Sequence, residues 1–346
     1  MSNEWRTHIY SSSDELPDGL LKENFFHSRT LFDLSKQTPR HRPYMVTVED
    51  ANGNVAAQML AVVRYRSSWF PPYFFTQCRV LGEGAYRLSD GSEACLQGHA
   101  HPLSEEEREQ QTQLFSLMLK QLKDHIGNNV LFIEVSNLSQ KMFGYRPFRE
   151  NGFFPVRWMS IHNSLHSRQP ITRISKSLNN RIQSAYNKGV TINEVSDEAD
   201  FRSFMRLLRH HNWLKPRRYV PADAFFRGFQ REGEGRLFLT KYHGHAIGCS
   251  AIVYSQKQAY LWYTAFRRKT FAPLHPADIT IWNTIQDSYE RGFEHIFFMD
   301  VGLPYDKNPY RDFILRFGGK PVSTFRWFRC SFGWLSKVLT MIYRGD

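Results

Sequence analysis

The chain repeats itself over nearly half its length. At an offset of 166 residues, Val130-Leu-Phe-Ile-Glu134-Val135 lies over Ile296-Phe-Phe-Met-Asp300-Val301, and Gly152-Phe-Phe-Pro155-Val156 lies over Gly318-Gly-Lys-Pro321-Val322. Just before those glycines, Tyr145-Arg-Pro-Phe148 matches Tyr310-Arg-Asp-Phe313 at an offset of 165. A solenoid repeats every ~20–50 residues, so a period this long indicates a duplicated domain. In a chain of 346 residues each copy is large enough to bury its own core. The expected domains are residues 1–165 and 166–346, with Glu134 superposing on Asp300 and Gly152 on Gly318.

Both copies show the same local order. Ser104 followed by Glu107 is a capping box that opens a helix through about Ile126, with Leu114, Leu117, Met118 and Leu122 at helical spacing. Residues 276–292 repeat the pattern, with Ile281, Ile285 and Tyr289 on one stripe and Gly292 as the stop. A buried strand follows each helix, then a short helix and a glycine turn into another strand. Upstream, residues 44–48 and 55–65 form a hairpin around Asp50-Ala-Asn-Gly53, and residues 236–242, 246–254 and 259–265 form a meander. Between the copies, Ile174, Leu178, Ile182 and Tyr186 recur every four residues on a basic helix that Gly189 ends. The fold class is mixed α/β (α+β).

Composition and charge narrow the function. Hydrophobic residues at 41% and aromatics at 15% exclude a mainly disordered or collagen-like chain. The net charge of +12 resides in two stretches without acids, residues 151–193 and 313–345, each with six bases. Such localised charge calls for an anionic partner: a phosphate-bearing substrate, tRNA or a lipid headgroup. Cys78, Cys95, Cys249 and Cys330 form no CxxC pair, which indicates neither a zinc ribbon nor a disulfide scaffold but a reduced, cytoplasmic protein. With no apolar core in the first 17 residues and no run of 18 apolar residues, neither secretion nor membrane spanning is expected. GxSxG, Walker A and HExxH patterns are missing, and His99-Ala-His101 and His210-His211 have no Cys, Asp or Glu at ligand spacing, so no metal is expected.

Hairpin strands, a long helix, a buried strand, a short helix and a glycine turn into a last strand resemble the GNAT acyltransferase fold. Two copies in tandem resemble the Fem-type and BioF2-like acyltransferases, a group that includes aminoacyl-tRNA-dependent enzymes of peptidoglycan bridge formation. The residues that carry the resemblance run from Ile174 to Arg326: Arg181-Ile-Gln-Ser-Ala-Tyr-Asn-Lys-Gly189, residues 248–263, Arg291-Gly292, Phe298-Met-Asp300-Val-Gly302 and Phe313-Ile-Leu-Arg-Phe317-Gly318-Gly319. Two positions depart from the group. Many relatives read Phe-Lys-x-x-Phe-Gly, with the lysine placed for substrate phosphate, whereas Ile314 follows Phe313 here. GNAT enzymes that use acetyl-CoA carry R/QxxGxG/A before the long helix, whereas Arg267-Arg-Lys-Thr270-Phe-Ala272 has Thr in place of Gly. Arg79-Val-Leu-Gly82-Glu-Gly84 matches that pattern letter for letter, but residues 85–103 separate it from its helix.

The resemblance implies an enzyme that transfers an acyl or aminoacyl group to an amine, with catalysis in residues 166–346. The donor would be a CoA or carrier-protein thioester or an aminoacyl-tRNA. Asp300, at the end of a strand where a GNAT-like sheet splays, would accept the ammonium proton, and Tyr310 would protonate the leaving group. Of Trp262 and Tyr263, alternation on a strand puts one in the groove and the other in the core. Trp213-Leu-Lys215-Pro-Arg217-Arg218-Tyr219 pairs arginines with aromatics, a clamp for an anionic acceptor or, equally, a solvated turn. Arg181 and Arg267 complete the substrate-binding set. The tail ends in an amphipathic helix with Phe332, Leu335, Val338, Leu339 and Ile342 on one face and Ser336, Lys337, Thr340 and Arg344 on the other. Docked on its domain, it is structural; laid in an anionic membrane surface, it places the enzyme peripherally on the inner face beside a lipid-linked acceptor. The rival reading is a non-catalytic RNA-binding protein using the two basic stretches.

Overall fold

The structure is a computed structural model that describes residues 4–68, 73–94, 103–139, 143–213, 219–299 and 301–344. The chain forms two compact units, Met1–Trp158 with Ser323–Asp346, and Met159–Val322.

In the first unit, β1 (Arg6–Tyr10), α1 (Arg29–Gln37), β2 (His41–Glu49), β3 (Val55–Ser68), β4 (Tyr73–Leu81) and the short β5 (Ala85–Tyr86) precede the long α2 (Glu105–Ile126). β6 (Phe132–Ser136), α3 (Tyr145–Glu150) and the start of β7 (Phe154–Ser164) follow. β1 to β4 pair antiparallel in order, and β6 adds parallel to β4. The Ser104–Glu107 capping box is present, with both of its hydrogen bonds made. Leu114, Phe115, Met118 and Leu122 of α2 bury themselves against Met59, Cys78, Val80 and Val135 of the sheet.

The second unit opens with α4 (Lys176–Asn187), β8 (Val190–Glu194), α5 (Glu198–Asn212) and α6 (Asp223–Arg231). Then come β9 (Gly235–Tyr242), β10 (His245–Ser255), β11 (Gln258–Phe266), α7 (Pro276–Glu290), β12 (His295–Phe298) and α8 (Pro309–Leu315). β8 to β11 pair antiparallel in order, and β12 adds parallel to β11. α4 and α7 cover one face through Leu178, Ile182, Ile281 and Ile285. Close approach of α7 to β10 depends on Gly248, where a Cβ would strike Thr280 Oγ1, the atom that pairs with Thr240 Oγ1 at 2.6 Å.

The last strand of each unit differs from a sequential split near Leu165. Residues 161–164 of β7 pair antiparallel with β12 of the second unit. Residues 326–330 of β13 (Lys320–Cys330) pair antiparallel with β6 of the first, and α9 (Gly333–Arg344) ends the chain. The chain therefore passes between units within β7 and again within β13. These two strands align at the offset of 166, and Gly152 and Gly318 before them both adopt positive φ, 79° and 81°. Here the expected superposition holds, because the turn out of each short helix needs a left-handed residue.

Glu134 does not match Asp300. Glu134 pairs with Phe328 of β13, whose counterpart in β7, His162, pairs with Phe297. The structural counterpart of Glu134 is thus Phe297, three residues from the sequence match. Apolar runs align with one another at several registers, whereas backbone pairing permits one. Glu134 sits among cations, with Arg326 Nη1 at 3.2 Å and Arg79 Nε at 3.6 Å.

Candidate active site

In the second unit the ladder between two parallel strands is short. β11 and β12 pair over four residues, Gln258↔His295 to Leu261↔Phe298, and then part. At the same point the β10–β11 ladder shifts: Ala251 faces Tyr263 and Ile252 faces Leu261, so Trp262 is the extra residue of a β-bulge. A bulge suspends the alternation of side chains. As a result Trp262 and Tyr263 do not divide between groove and core as expected. Both pack on α6, Trp262 against Phe225 (5.6 Å) and Tyr263 against Phe226 (5.2 Å), with their own rings 5.7 Å apart. What remains beside the opening is the backbone of residues 262–266.

Beyond β11, Arg267 is exposed and its N–H donates to the Ile247 carbonyl at 2.8 Å. Its neighbour Arg268, absent from the sequence-derived set, lies over Phe266 (5.4 Å) and Phe313 (4.9 Å). Desolvation lowers its pKa from the usual arginine value, while Tyr310 and Asp278 pull in the other direction. Tyr310, half-buried in the first turn of α8, is therefore within the electrostatic reach of the same guanidinium. The N–H groups of Phe271, Leu274 and His275 donate to carbonyls of residues 267, 271 and 272, and this loop before α7 contains no glycine. Asp278, buried in the first turn of α7, meets the positive end of that helix.

Cations gather beside this loop instead. An open cleft of about 460 Å³ is lined by Lys176, Ser177, Asn180, Arg181, Ser184 and Lys188 of α4 and its end, and by Pro273 and His275. Lys176, Asn180, Ser184 and Lys188 recur every four residues on the side of α4 opposite Leu178 and Ile182. Arg181 reaches across to Asp278, Nε to Oδ2 3.5 Å, and His275 Nδ1 lies 3.8 Å from the same oxygen. Sequence reasoning found Arg181 and missed Lys176, Lys188 and His275. The signal was the polar stripe with the same four-residue period as the apolar one.

Of the remaining expected residues, Trp213 is 69% exposed at the end of α5, and Tyr219 is half-buried ahead of α6. Two residues before Trp213, His211 sets its ring 6.0 Å from Phe266, edge-on, which brings the end of α5 to the end of β11. Lys215, Arg217, Arg218 and Asp300 lie outside the described residues, as do Cys95, His99 and His101. Among the described residues no three His, Cys, Asp or Glu side chains gather as a metal site.

The first unit's Arg79-to-Gly84 pattern is occupied by the fold itself. The Gly82 N–H donates to the Ser136 carbonyl at 2.9 Å and the Gly84 N–H to His27 Nε2 at 2.9 Å. Ile314, in the position where relatives carry lysine, is fully buried in the core.

The sequence model of the acetyltransferase (GNAT) domain family matches residues 173–310, which span α4, the bulged β11, α7, β12 and the start of α8. The chain carries a GNAT domain. Solved structures similar to the whole chain include FemX, with a TM-score of 0.59 at 10% identity over 92% of this chain and 94% of that one. The L-PGS of Bacillus licheniformis gives 0.56 at 11% identity over 91% of both chains. The C-terminal domain of a putative lysylphosphatidylglycerol synthetase from Agrobacterium fabrum gives 0.54 at 10% identity over 92% and 91%. At such low identity these likenesses show the fold, and the fold is the tandem GNAT-like one. No curated protein matches the chain. Residues 173–310 therefore form an acyltransferase domain of the GNAT type.

Proposed function

We infer that the second unit moves an acyl or aminoacyl group from a phosphate-bearing donor to an amine. The observation that carries this reading is the parting of β11 and β12 after four paired residues, at the bulge. An amide N–H of residues 262–266 donates to the donor carbonyl oxygen as it becomes an oxyanion. Asp300, two residues past β12, accepts the proton of the ammonium group, and the freed amine attacks the carbonyl carbon. The tetrahedral intermediate then expels a thiolate or a ribose oxygen, which Tyr310 protonates, and the second proton of the attacking nitrogen passes to the Tyr310 phenolate as the amide forms. Positioning and charge stabilisation account for the acceleration, and no covalent enzyme intermediate is required.

Arg181, Lys176 and Lys188 of the cleft bind the donor phosphates, Arg267 adds to donor binding, and Trp213, Arg217, Arg218 and Tyr219 clamp the acceptor. The donor is an acyl-CoA, an acyl carrier protein or an aminoacyl-tRNA. Cations spread over the ~18 Å of a twelve-residue helix suit an extended polyanion better than one diphosphate. A lipid-linked amine and a peripheral place on the inner membrane face belong to this reading.

Lys176→Ala with Lys188→Ala tests the donor site without touching the residues at the opening. The Km for the donor should rise about tenfold or more while kcat stays within about twofold. If the donor is a tRNA, the dependence of log Km on log salt should also flatten by about 1–2 units. An unchanged Km would remove the cleft from donor binding.

A further inference from the structure

α9 carries two apolar stripes where the sequence showed one. Leu335 and Leu339 are half-buried with Ser336 and Thr340, and Ser336 Oγ accepts the Cys330 N–H at 3.1 Å, so this side is docked on its own unit. A second stripe faces out. Trp334 (67% exposed), Val338 (40%), Met341 (67%) and Ile342 (63%) fall within about 100° of the helix circumference. Phe332, just ahead of the helix, is exposed as well. Large apolar side chains clustered on a surface mark a place where something else settles.

Charge identifies what settles there. Residues 313–345 contain no carboxylate, and Lys337 and Arg344 stand at helix positions along one flank of the stripe. A second copy packed on this stripe would bring both pairs of cations together, whereas a surface rich in anionic headgroups would neutralise them. Trp334 has an apolar body and a polar tip, the kind of side chain that rests at a lipid–water boundary. Twelve residues reach about 18 Å, short of the ~30 Å of a hydrocarbon core, and no helix among the described residues is long and apolar enough to cross a membrane. Such a helix lies flat.

We propose that α9 seats Trp334, Val338, Met341 and Ile342 in the headgroup–acyl boundary of an anionic bilayer, with Lys337 on the headgroups. The inference deepens the peripheral membrane placement of the proposed function, and vesicle binding is read separately from transfer, so either can fail alone. It is tested by co-sedimentation of the full chain with vesicles of phosphatidylcholine and phosphatidylglycerol, against vesicles of phosphatidylcholine alone. Wild type should sediment with the anionic vesicles. The triple variant Trp334→Ser, Met341→Ser, Ile342→Ser should lose about tenfold or more of that binding with an unchanged melting temperature. Lys337→Glu, which removes no apolar side chain, should lose about fivefold or more on the anionic vesicles alone. Failure of wild type to sediment, or binding by either variant equal to that of wild type, would overturn the proposal. So would a concentration-dependent dimer in sedimentation velocity that the triple variant abolishes, since a second copy would then own the stripe.

Discussion

Glu83 shows how far a string of letters can mislead about a single side chain. It sits inside a pattern that resembles a diphosphate cradle, yet it is 1% exposed and its carboxylate accepts the Ser139 N–H at 3.1 Å. Burial pushes its pKa up to about 7, against the opposing pull of the Ser139 and Leu138 amides. The native state therefore holds a proton that the unfolded chain releases near pH 4.5. Its contribution to stability is complete below that pH and fades as pH rises through 7, a difference of roughly 3 kcal/mol. Glu83→Gln should flatten the fall in melting temperature between pH 5 and 8 and be the more stable protein at pH 8. Parallel pH profiles for the two proteins would show that Glu83 is ionised throughout. Arg268 illustrates the converse. Nothing marks it out in Arg267-Arg268-Lys269, since its place over Phe266 and Phe313 joins residues 45 apart in the chain.

At the scale of elements, much was legible because the signals are local. The Ser104–Glu107 box, the stripes of α2 and α4 and the paired glycines at 152 and 318 all depend on neighbours within one or two turns. Features set by pairing between strands were not legible. The bulge that turns Trp262 and Tyr263 onto one face breaks the period of two without an unusual residue to announce it. The three-residue slip between Glu134 and Asp300 escaped for the same reason, and the second stripe of α9 was hidden because Trp334 and Met341 fall off the first one. Gly248 is a further case, ordinary in sequence and necessary in packing. Gly248→Val would press a branched side chain into Thr280 of α7 and should destabilise the second unit by ~1–3 kcal/mol, read as a lower urea midpoint. A midpoint equal to wild type would mean that α7 can retreat from β10 at no cost.

Across the whole chain, the duplication was visible but the ownership of the closing strands was not. β7 follows the first copy in sequence and pairs with β12, while β13 follows the second and pairs with β6. Truncation at residue 165 or at residue 322 would therefore strip a strand from a sheet rather than free a domain. The proposed function puts the chemistry in the second unit because the bulge, the parting strands and the basic cleft all occur there. The most direct measurement follows one turnover of acyl or aminoacyl transfer to an amine, read as the mass gained by the acceptor, for wild type and for Asp300→Asn. With the donor that the wild type uses, Asp300→Asn should form the same product about 100-fold more slowly at an unchanged melting temperature. An equal rate in the two proteins, or no transfer from acyl-CoA, acyl carrier protein or aminoacyl-tRNA by wild type, would contradict the assignment.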